Sequence, residues 1–327
     1  MRTKKIDIIN IGLIIFSFIL ALKLPFELFI FSYVVLGPLH YLTEISWLKK
    51  NNYFVHSRKW IWVFIFLALL ITIPSFFRLP EISGLYEEII LIMFLFAIGL
   101  VYFNKWQYIL LSLILSAVLG FFIIEYVPFS FIVAGVFLPT IIHVYLFTLL
   151  FMILGAINNK SREGLIGVML VILCPVIISV LPIIPADYVV SAYTETSYLT
   201  SKFSDLSSYL AQMLSLQNGG RFYHLSEIGI KIQIFIAFCY TYHYLNWFSK
   251  TSIIGWSRSL SKTKIVIVVL IWSFSLFLYW YNFKLGYIAL FFFSMLHVVL
   301  EFPLNIKSMK GIIRLVREPR HIKPADT

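Results

Sequence analysis

Long apolar runs recur from one end of this chain to the other, and they constrain its fold more than any other feature. Ten runs are long enough to cross about 30 Å of hydrocarbon, and polar or basic stretches separate them. They cover residues 6–22, 26–48, 60–77, 88–103, 108–125, 129–155, 164–184, 226–249, 265–281 and 285–306. The predicted fold class is therefore all-α. We expect a polytopic integral membrane bundle of about ten transmembrane helices, with residues 1–306 as a single domain.

The composition indicates a membrane protein and excludes a soluble one. Hydrophobic residues make up 61% of the 327, charged residues make up 13%, and the mean hydropathy is +0.92. A soluble domain cannot bury so much apolar side chain, so lipid must solvate it. The net charge of +11 does not predict a nucleic-acid partner, because the basic residues flank the apolar runs. The expected partners are membrane lipids and a lipophilic small molecule, and the oligomeric state stays open.

The distribution of Lys and Arg predicts the orientation of the bundle. If the first residue is cytoplasmic, ten spans place 20 of the 26 Lys and Arg residues in cytoplasmic segments and five outside. This asymmetry is typical of inner-membrane proteins, so we expect a multi-pass protein of the cell inner (cytoplasmic) membrane with both termini cytoplasmic. Residues 307–327 are predicted to form a basic cytoplasmic tail. Between residues 88 and 125 only a short polar stretch separates two runs, so the exact helix count there stays open.

One long loop, at about residues 185–225, is predicted to lie outside. Its apolar residues follow helical spacing, which indicates an amphipathic helix: Leu199, Phe203, Leu206, Leu210 and Met213. Two interpretations remain open. Such a helix lies on the outer surface of the bundle or membrane, or it covers an outward cavity as a lid.

Four of the seven histidines fall well inside predicted spans: His40, His143, His243 and His297. An ionisable side chain at this depth costs roughly 2.5–3.5 kcal/mol, so such residues normally face a partner or a cavity. All four lie on spans that run in the same direction. At 1.5 Å per residue, three of them lie about 8–14 Å from the cytoplasmic ends of their helices and His143 about 18 Å. The sequence therefore places four imidazoles in neighbouring layers of one membrane.

An oxygen-bearing side chain follows three of these histidines by about one helical turn. Glu44 follows His40 by four residues, Glu301 follows His297 by four, and Asn246 follows His243 by three. At this spacing the two side chains of each pair share one helical face. The pattern predicts a polar stripe on each of three helices.

A metal site accounts for this pattern most economically. Imidazoles from several helices can bind one ion, and carboxylates either join them or orient the imidazoles. We predict His40, His143, His243 and His297 as metal ligands, with Glu44, Glu301 and Asn246 as supporting, catalytic or alternate ligands. Two other interpretations remain open. Each histidine could form a hydrogen bond that holds two helices together, or the His and Glu residues could carry protons.

The stretch Gly37-Pro-Leu-His-Tyr-Leu-Thr-Glu44 resembles an early motif of bacterial membrane-bound (Brp/Blh-like) carotene-cleaving dioxygenases, which is Gly-x-Pro-His-Gly-x-x-Asp-like. His243 in TYHYLNW and His297 in LHVVLE are similar to later motifs of that family. Here proline precedes Leu39 rather than His40, Tyr41 stands where the family has glycine, and Glu44 stands for Asp. The resemblance implies that His40, His143, His243 and His297 hold a non-haem iron.

The expected function is that of an integral membrane metalloenzyme. The predicted cofactor is Fe²⁺, with another transition metal as the alternative. The predicted chemistry is that of an iron-dependent oxygenase acting on a carotenoid, another isoprenoid or a lipid. The alternative is a proton-coupled membrane transporter that uses the same residues. The third hypothesis is a non-catalytic membrane scaffold.

Overall fold

A computed structural model of the protein describes residues 2–77, 85–216, 222–250 and 261–317. Within these ranges the chain is helical and contains no strand, so the predicted all-α class is confirmed. We number twelve helices in chain order: α1 (Arg2–Lys23), α2 (Pro25–Lys50), α3 (Ile61–Phe77), α4 (Leu85–Tyr102), α5 (Trp106–Tyr126), α6 (Ser130–Asn158), α7 (Arg162–Val180), α8 (Ala192–Thr200), α9 (Phe203–Met213), α10 (Glu227–Ser249), α11 (Lys262–Tyr281) and α12 (Phe283–Arg317).

Nine of the described helices are long and apolar enough to cross a membrane, which makes this a multi-pass membrane protein. The predicted spans at 88–103 and 108–125 are separate helices, α4 and α5. The exception among the ten predicted spans is α10. It is 23 residues long, but it is not among the nine, and most of its residues are buried. Because protein rather than lipid surrounds α10, its sequence can carry more polar residues than the other helices.

Contacts at their ends show that α1 and α7 run in the same direction and that α10 runs in the opposite one. At one end, Lys4 near the start of α1 forms an ion pair with Glu163 near the start of α7, with Nζ and Oε1 2.7 Å apart. Ser249, at the end of α10, donates a hydrogen bond to Asn10 of α1, with the oxygens 3.1 Å apart. We call this end the basic end. We define it by the basic residues that flank the helix termini there: Lys4, Lys5, Lys49, Lys50, Lys105, Lys160, Arg162, Lys250 and Lys262.

The opposite end, which we call the far end, joins the other termini. Tyr188, after α7, donates a hydrogen bond to the carbonyl of Leu22 in α1 over 3.1 Å. Near the start of α10, Glu227 and Lys231 form an ion pair with Nζ and Oε1 2.8 Å apart. Lys231 also donates to the carbonyl of Ser179 in α7. The two sets of contacts agree with the alternation that was predicted from the basic residues.

The predicted amphipathic helix of the 185–225 loop consists of two helices, α8 and α9, because Lys202 between them has a φ of 57°. Phe203, Leu206 and Leu210 are buried on α9, as the spacing predicted. Leu199 precedes the break and Met213 ends α9, and both side chains are exposed. The rings of Phe203 and Phe29 meet edge to face at 4.9 Å, so α9 packs on the bundle. Residues 217–221 of the predicted loop lie outside the described residues.

The last helix, α12, continues through residue 306 to Arg317. The first part of the predicted tail is therefore a helical extension of the last span, and residues 318–327 lie outside the described residues. Lys310 lies over the ring of Tyr102, 3.5 Å from its centroid, which joins this extension to the end of α4. The extension is therefore anchored at the basic end.

Two hydrophobic clusters form the core. One packs α1, α7, α9, α10 and the first half of α2, and the other packs α3, α4 and α12. The second half of α2 contributes Trp47 and Leu48 to the latter cluster. Between them lies a compact group of buried polar side chains that includes His40 and Glu44.

Candidate metal centre

The four intramembrane histidines meet in the interior of the bundle. His40 comes from α2, His143 from α6, His243 from α10 and His297 from α12. Their rings form a closed circuit. The centroids of His40 and His243 are 4.8 Å apart, those of His243 and His143 are 4.9 Å apart, those of His143 and His297 are 5.1 Å apart, and those of His297 and His40 are 5.4 Å apart. We call these four residues the histidine cluster.

The ligand atoms of the histidine cluster lie close enough to share one ion. One nitrogen from each of His40, His143 and His297 lies within 4.8 Å of the others. The Nε2 atoms of His40 and His243 are 3.2 Å apart. Two nitrogens that each lie about 2.0–2.1 Å from one ion have a similar separation. The group formed by His40, His143 and His297 can therefore hold a metal ion, and His243 adjoins it.

Two buried carboxylates lie against the histidine cluster. Oε2 of Glu44 is 3.0 Å from Nε2 of His40, one turn away on the same helix. Oε2 of Glu301 is 3.5 Å from Nδ1 of His143, which belongs to a different helix. The shared face of His297 and Glu301 was predicted correctly, but the nearest imidazole to Glu301 is that of His143. Both carboxyl groups are 4% exposed or less, so a charge on either needs a partner close by.

Several nitrogens and oxygens in this group have no hydrogen-bond partner among the described residues. They include Nε2 of His143 and Nδ1 of His40, while Oε2 of Glu44 and of Glu301 has only the imidazole contact named above. Burying an unpaired polar atom is costly, and native proteins rarely leave several of them together. A cation bound among them would satisfy nitrogen and carboxylate lone pairs at once. The residues present therefore fit a metal ion.

Thr148 orients His243 and was not identified from the sequence. Its hydroxyl lies 2.7 Å from Nδ1 of His243. That contact leaves Nε2 of His243 directed at His40, because the two ring nitrogens are distinct and a bond at one fixes the role of the other. Thr148 lies five residues after His143 on α6. No sequence pattern links a threonine on α6 to a histidine on α10, so only packing revealed it.

Asn246 and Asn305 occupy the side of the histidine cluster nearer the basic end. Both are buried, and neither Oδ1 of Asn246 nor the amide of Asn305 has a hydrogen-bond partner among the described residues. Asn246 lines a cavity together with Glu44 and Glu301. Asn305 continues the four-residue spacing of His297 and Glu301 on α12, so it could have been identified from the sequence. These amides add neutral polar groups beside the carboxylates.

Non-standard helical turns place two of the four imidazoles. The segment Ser32–Leu36 of α2, just before His40, is π-helical, and so is Val133–Phe147 of α6, which contains His143. Such turns are frequent at functional sites, and they change the direction in which later side chains point. Pro139 lies inside the second segment and cannot donate a backbone hydrogen bond there. The π-helical segments were not predicted from the sequence.

Aromatic rings surround the histidine cluster, and Trp247 among them also lines the cavity. The ring of Tyr244 is 5.1 Å from that of His40, and the ring of Tyr41 is 5.5 Å from that of His297. Trp247 lies edge-on to His40 at 5.5 Å and donates a hydrogen bond to the hydroxyl of Thr43. These rings fix the orientation of the imidazoles and keep the surroundings apolar.

A cavity of about 270 Å³ connects the histidine cluster with the basic end. His40, Glu44, His243 and Glu301 line its inner part. Its outer part is lined by residues at helix termini, which include Asp7, Asn159, Glu163 and Lys250. Burial lowers the pKa of Lys250 to about 8, and the nearby carboxylate of Asp7 opposes this shift. The histidine cluster is thus enclosed but can be reached from one end of the bundle.

Comparisons with known proteins give no match: no protein-family model, no curated protein and no solved structure matches this chain. The chain is a multi-pass helical membrane protein, and its buried His40, His143 and His297 can together hold a metal ion.

Proposed function

We propose that this protein is an integral membrane metalloenzyme whose histidine cluster binds Fe²⁺ and which oxidises a lipophilic substrate with dioxygen. The convergence of four imidazoles and two carboxylates in the buried interior carries this proposal. Bound iron would supply the redox chemistry that activation of dioxygen requires. His40, His143, His243 and His297 would hold it, while Glu44 and Glu301 would balance its charge and orient His40 and His143.

The donor set favours iron over structural zinc. Structural zinc sites have four ligands and commonly contain cysteine thiolates, whereas this group offers four imidazoles and two carboxylates. Imidazole with carboxylate is a donor set that non-haem iron oxygenases use. Another transition metal that accepts nitrogen and oxygen ligands is the alternative for the cofactor. The resemblance to carotene-cleaving dioxygenases supports iron, since it implies the same four histidines.

A lipophilic substrate and an inner-membrane location are parts of the same proposal. The histidine cluster lies within apolar helices, so a substrate dissolved in the bilayer reaches it without crossing bulk water. Carotenoids, other isoprenoids and lipids meet this condition. The excess of Lys and Arg at the basic end supports the cytoplasmic membrane, with this end in the cytoplasm.

The alternative, a proton-coupled transporter, would use the same His and Glu residues, and a proton pathway through the bundle needs polar groups on both sides of the histidine cluster. On one side the cavity leads toward the basic end. Toward the far end aromatic rings pack, with the centroids of Tyr240 and Phe29 5.2 Å apart, and the hydroxyls of Ser32 and Thr241 lie 2.7 Å apart. Bound metal therefore separates the two functions, because a proton pathway does not need it.

Metal analysis of purified protein tests the proposal. We expect close to one iron per chain, and we expect His40→Ala and His297→Ala to remove it, because each variant deletes a ligand of the same ion. His224→Ala is the matched control. His224 is a largely buried histidine near the far end, paired with Glu195 over 2.9 Å and outside the histidine cluster. The proposal is contradicted if the purified protein holds no metal under any preparation. It is also contradicted if the three variants lose equal amounts of metal.

A further inference from the structure

The lining of the cavity beside the histidine cluster changes from its outer end to its inner end. At the outer end it is exposed and charged, and at the inner end it is buried and polar. At its outer part Asn159 is exposed, and Asp7 and Lys250 are half-buried. Further in, Asn10 and Asn246 are buried, and Glu44 and Glu301 lie at the inner end. We call the first three residues, Asp7, Asn159 and Lys250, the mouth of the cavity. A polar group at the mouth can therefore stay hydrated while the rest of the same molecule is enclosed.

Between the mouth and the histidine cluster, much of the wall is apolar and made of small residues. Gly155 and Ala156 on α6 face Gly164 and Gly167 on α7. A Cβ added at Gly155 would meet no atom within 4 Å, so this part of the wall borders open space. Ala156 and Gly164 pack closely, since a Cβ added at Gly164 would lie 3.0 Å from Cβ of Ala156, whereas Gly155 borders the open space. One side of the middle of the cavity can therefore bind hydrocarbon, opposite the buried amides of Asn10 and Asn246.

The dimensions restrict what can occupy the cavity. Lys250 and His243 are seven residues apart on α10, which corresponds to roughly 10 Å along the helix axis. Pockets that enclose a whole drug-sized ligand have volumes of about 300–1,000 Å³. At about 270 Å³ this cavity is slightly smaller. It can enclose one slender chain, but it cannot enclose a whole carotenoid.

The mouth contains groups of both signs. The carboxylate of Asp7 accepts a hydrogen bond from the hydroxyl of Ser161. The Glu163 carboxylate is paired with Lys4, with Nζ and Oε1 2.7 Å apart, whereas Lys250 forms no ion pair with any described residue. The exposed amide of Asn159 both donates and accepts hydrogen bonds. A polar head such as a carboxylic acid or an alcohol can therefore bind there, close to the level of the lipid headgroups.

We propose that the cavity binds a single unbranched amphiphilic chain, with its polar head at the mouth and its hydrocarbon along the wall formed by Gly155, Ala156, Gly164 and Gly167. An interior position of the chain, roughly 10 Å from the head, then lies beside the histidine cluster. The substrate class is thus a fatty acid or fatty alcohol rather than a carotenoid. This inference rests on the proposed function, which it narrows.

Photochemical cross-linking tests the inference without requiring activity. The probe is a twelve-carbon unbranched fatty acid that carries a diazirine at an interior carbon, roughly 10 Å from the carboxylate. It is added to full-length protein in lipid nanodiscs, because detergents are amphiphiles and would compete for the cavity. We expect mass spectrometry to locate the cross-link on α6 or α10 near the histidine cluster. An excess of 1-dodecanol should suppress the cross-link, and β-carotene should not.

Filling the cavity provides the decisive comparison. Gly155→Leu should reduce this cross-link by about tenfold or more, since even one methylene group in a pocket changes affinity by about 10–200-fold. Gly12→Leu is the matched control. Gly12 also has nothing within 4 Å of an added Cβ, but it lies on the exposed face of α1 and does not line the cavity. Gly167→Ala, whose Cβ would lie 3.5 Å from Cε of Met152, is a milder second variant and should have a smaller effect.

The outcomes separate the two proposals. Cross-links scattered over lipid-facing helices and equal in all variants overturn the inference, and so does suppression by β-carotene but not by 1-dodecanol. Metal content is measured in the same preparations, and Gly155→Leu should retain it. If the protein binds metal but shows no localised cross-link, the proposal that the cavity binds an amphiphile is refuted, and the proposed metalloenzyme is not. Protein that shows the localised cross-link but never binds metal refutes the proposed metalloenzyme and leaves the binding site established.

Discussion

At the scale of single residues, the contact between Thr148 and His243 decides how one imidazole is presented. The hydroxyl lies 2.7 Å from Nδ1 and leaves Nε2 directed at His40. Groups that orient a metal-bound histidine from behind contribute about 10–100-fold to metal affinity. The same reasoning applies to Glu44, which touches His40. The affinity of the site therefore depends on residues that do not themselves need to bind the ion.

Thr148→Val should weaken metal binding by about 10–100-fold, because valine keeps the shape of threonine but cannot hold the imidazole. Competition with a chelator of known affinity measures the change. Thr72→Val is the matched control, since among the described residues the hydroxyl of the buried Thr72 in α3 bonds only to the carbonyl of Ala68 in its own helix. A Thr148→Val protein with unchanged affinity would show that the contact with His243 does not orient a ligand.

Glu44→Gln should also weaken metal binding by about 10–100-fold. The amide keeps the volume of the side chain but removes a negative charge 3.0 Å from His40. Glu227→Gln is the control, because Glu227 lies at the far end and pairs only with Lys231 among the described ion pairs. The same chelator competition measures both variants, and equal affinities would contradict a charge-balancing role for Glu44.

At the scale of elements, the π-helical segment of α6 sets the direction of His143. Val133–Phe147 contains Pro139, which lacks the backbone donor that a regular α-helix would use. A change in helical register within this segment turns every later side chain on α6. His143 and Thr148 both follow Pro139, so both depend on it.

Pro139→Ala should favour regular α-helix in this segment and lower metal affinity, without unfolding the bundle. Circular dichroism should show that the helix content is kept, and chelator competition should show the loss. Pro175→Ala in α7 is the control. Pro175 also lies inside a helix, but α7 carries no residue of the histidine cluster. If metal affinity is unchanged in Pro139→Ala, the π-helical segment does not position His143.

The hairpin of α4 and α5 illustrates a second effect at this scale. An added Cβ at Gly120 of α5 would lie 2.9 Å from Cγ1 of Ile92, which is closer than normal contact. Gly120→Val should therefore destabilise the protein by about 1–3 kcal/mol through overpacking. We expect a lower midpoint of thermal unfolding and an unchanged metal content, because neither residue lines the cavity beside the histidine cluster. Gly12→Val, which meets open space, should leave the midpoint unchanged.

At the scale of the whole molecule, the distribution of charge determines the orientation in the membrane. We expect the basic end in the cytoplasm. In intact cells, a membrane-impermeant thiol reagent should label Val189→Cys, whose parent side chain is 87% exposed near the far end. It should label Lys105→Cys, exposed at the basic end, only after the membrane is opened. Native Cys174 and Cys239 are both buried. The reverse pattern would invert the predicted topology.

Most of the architecture follows from the sequence, because the bilayer dictates it. Apolar runs must be helical so that their backbone groups are paired, and basic residues must flank them. The four histidines and their partners Glu44 and Glu301 could also be selected from the sequence, since ionisable residues at this depth are costly. Helical spacing further predicted the buried face of α9, although it could not predict the break at Lys202.

Other features depended on contacts between helices that are distant in the sequence. The pairing of Glu301 with His143, the contact of Thr148 with His243, and the cavity that reaches the basic end are of this kind. Periodicity relates residues within one helix, but it carries no information about which helices are neighbours or how they are rotated. The sequence thus determined the spans, their alternation and the candidate ligands. Only the tertiary structure decided that the four imidazoles meet, because helix packing and the π-helical turns orient them.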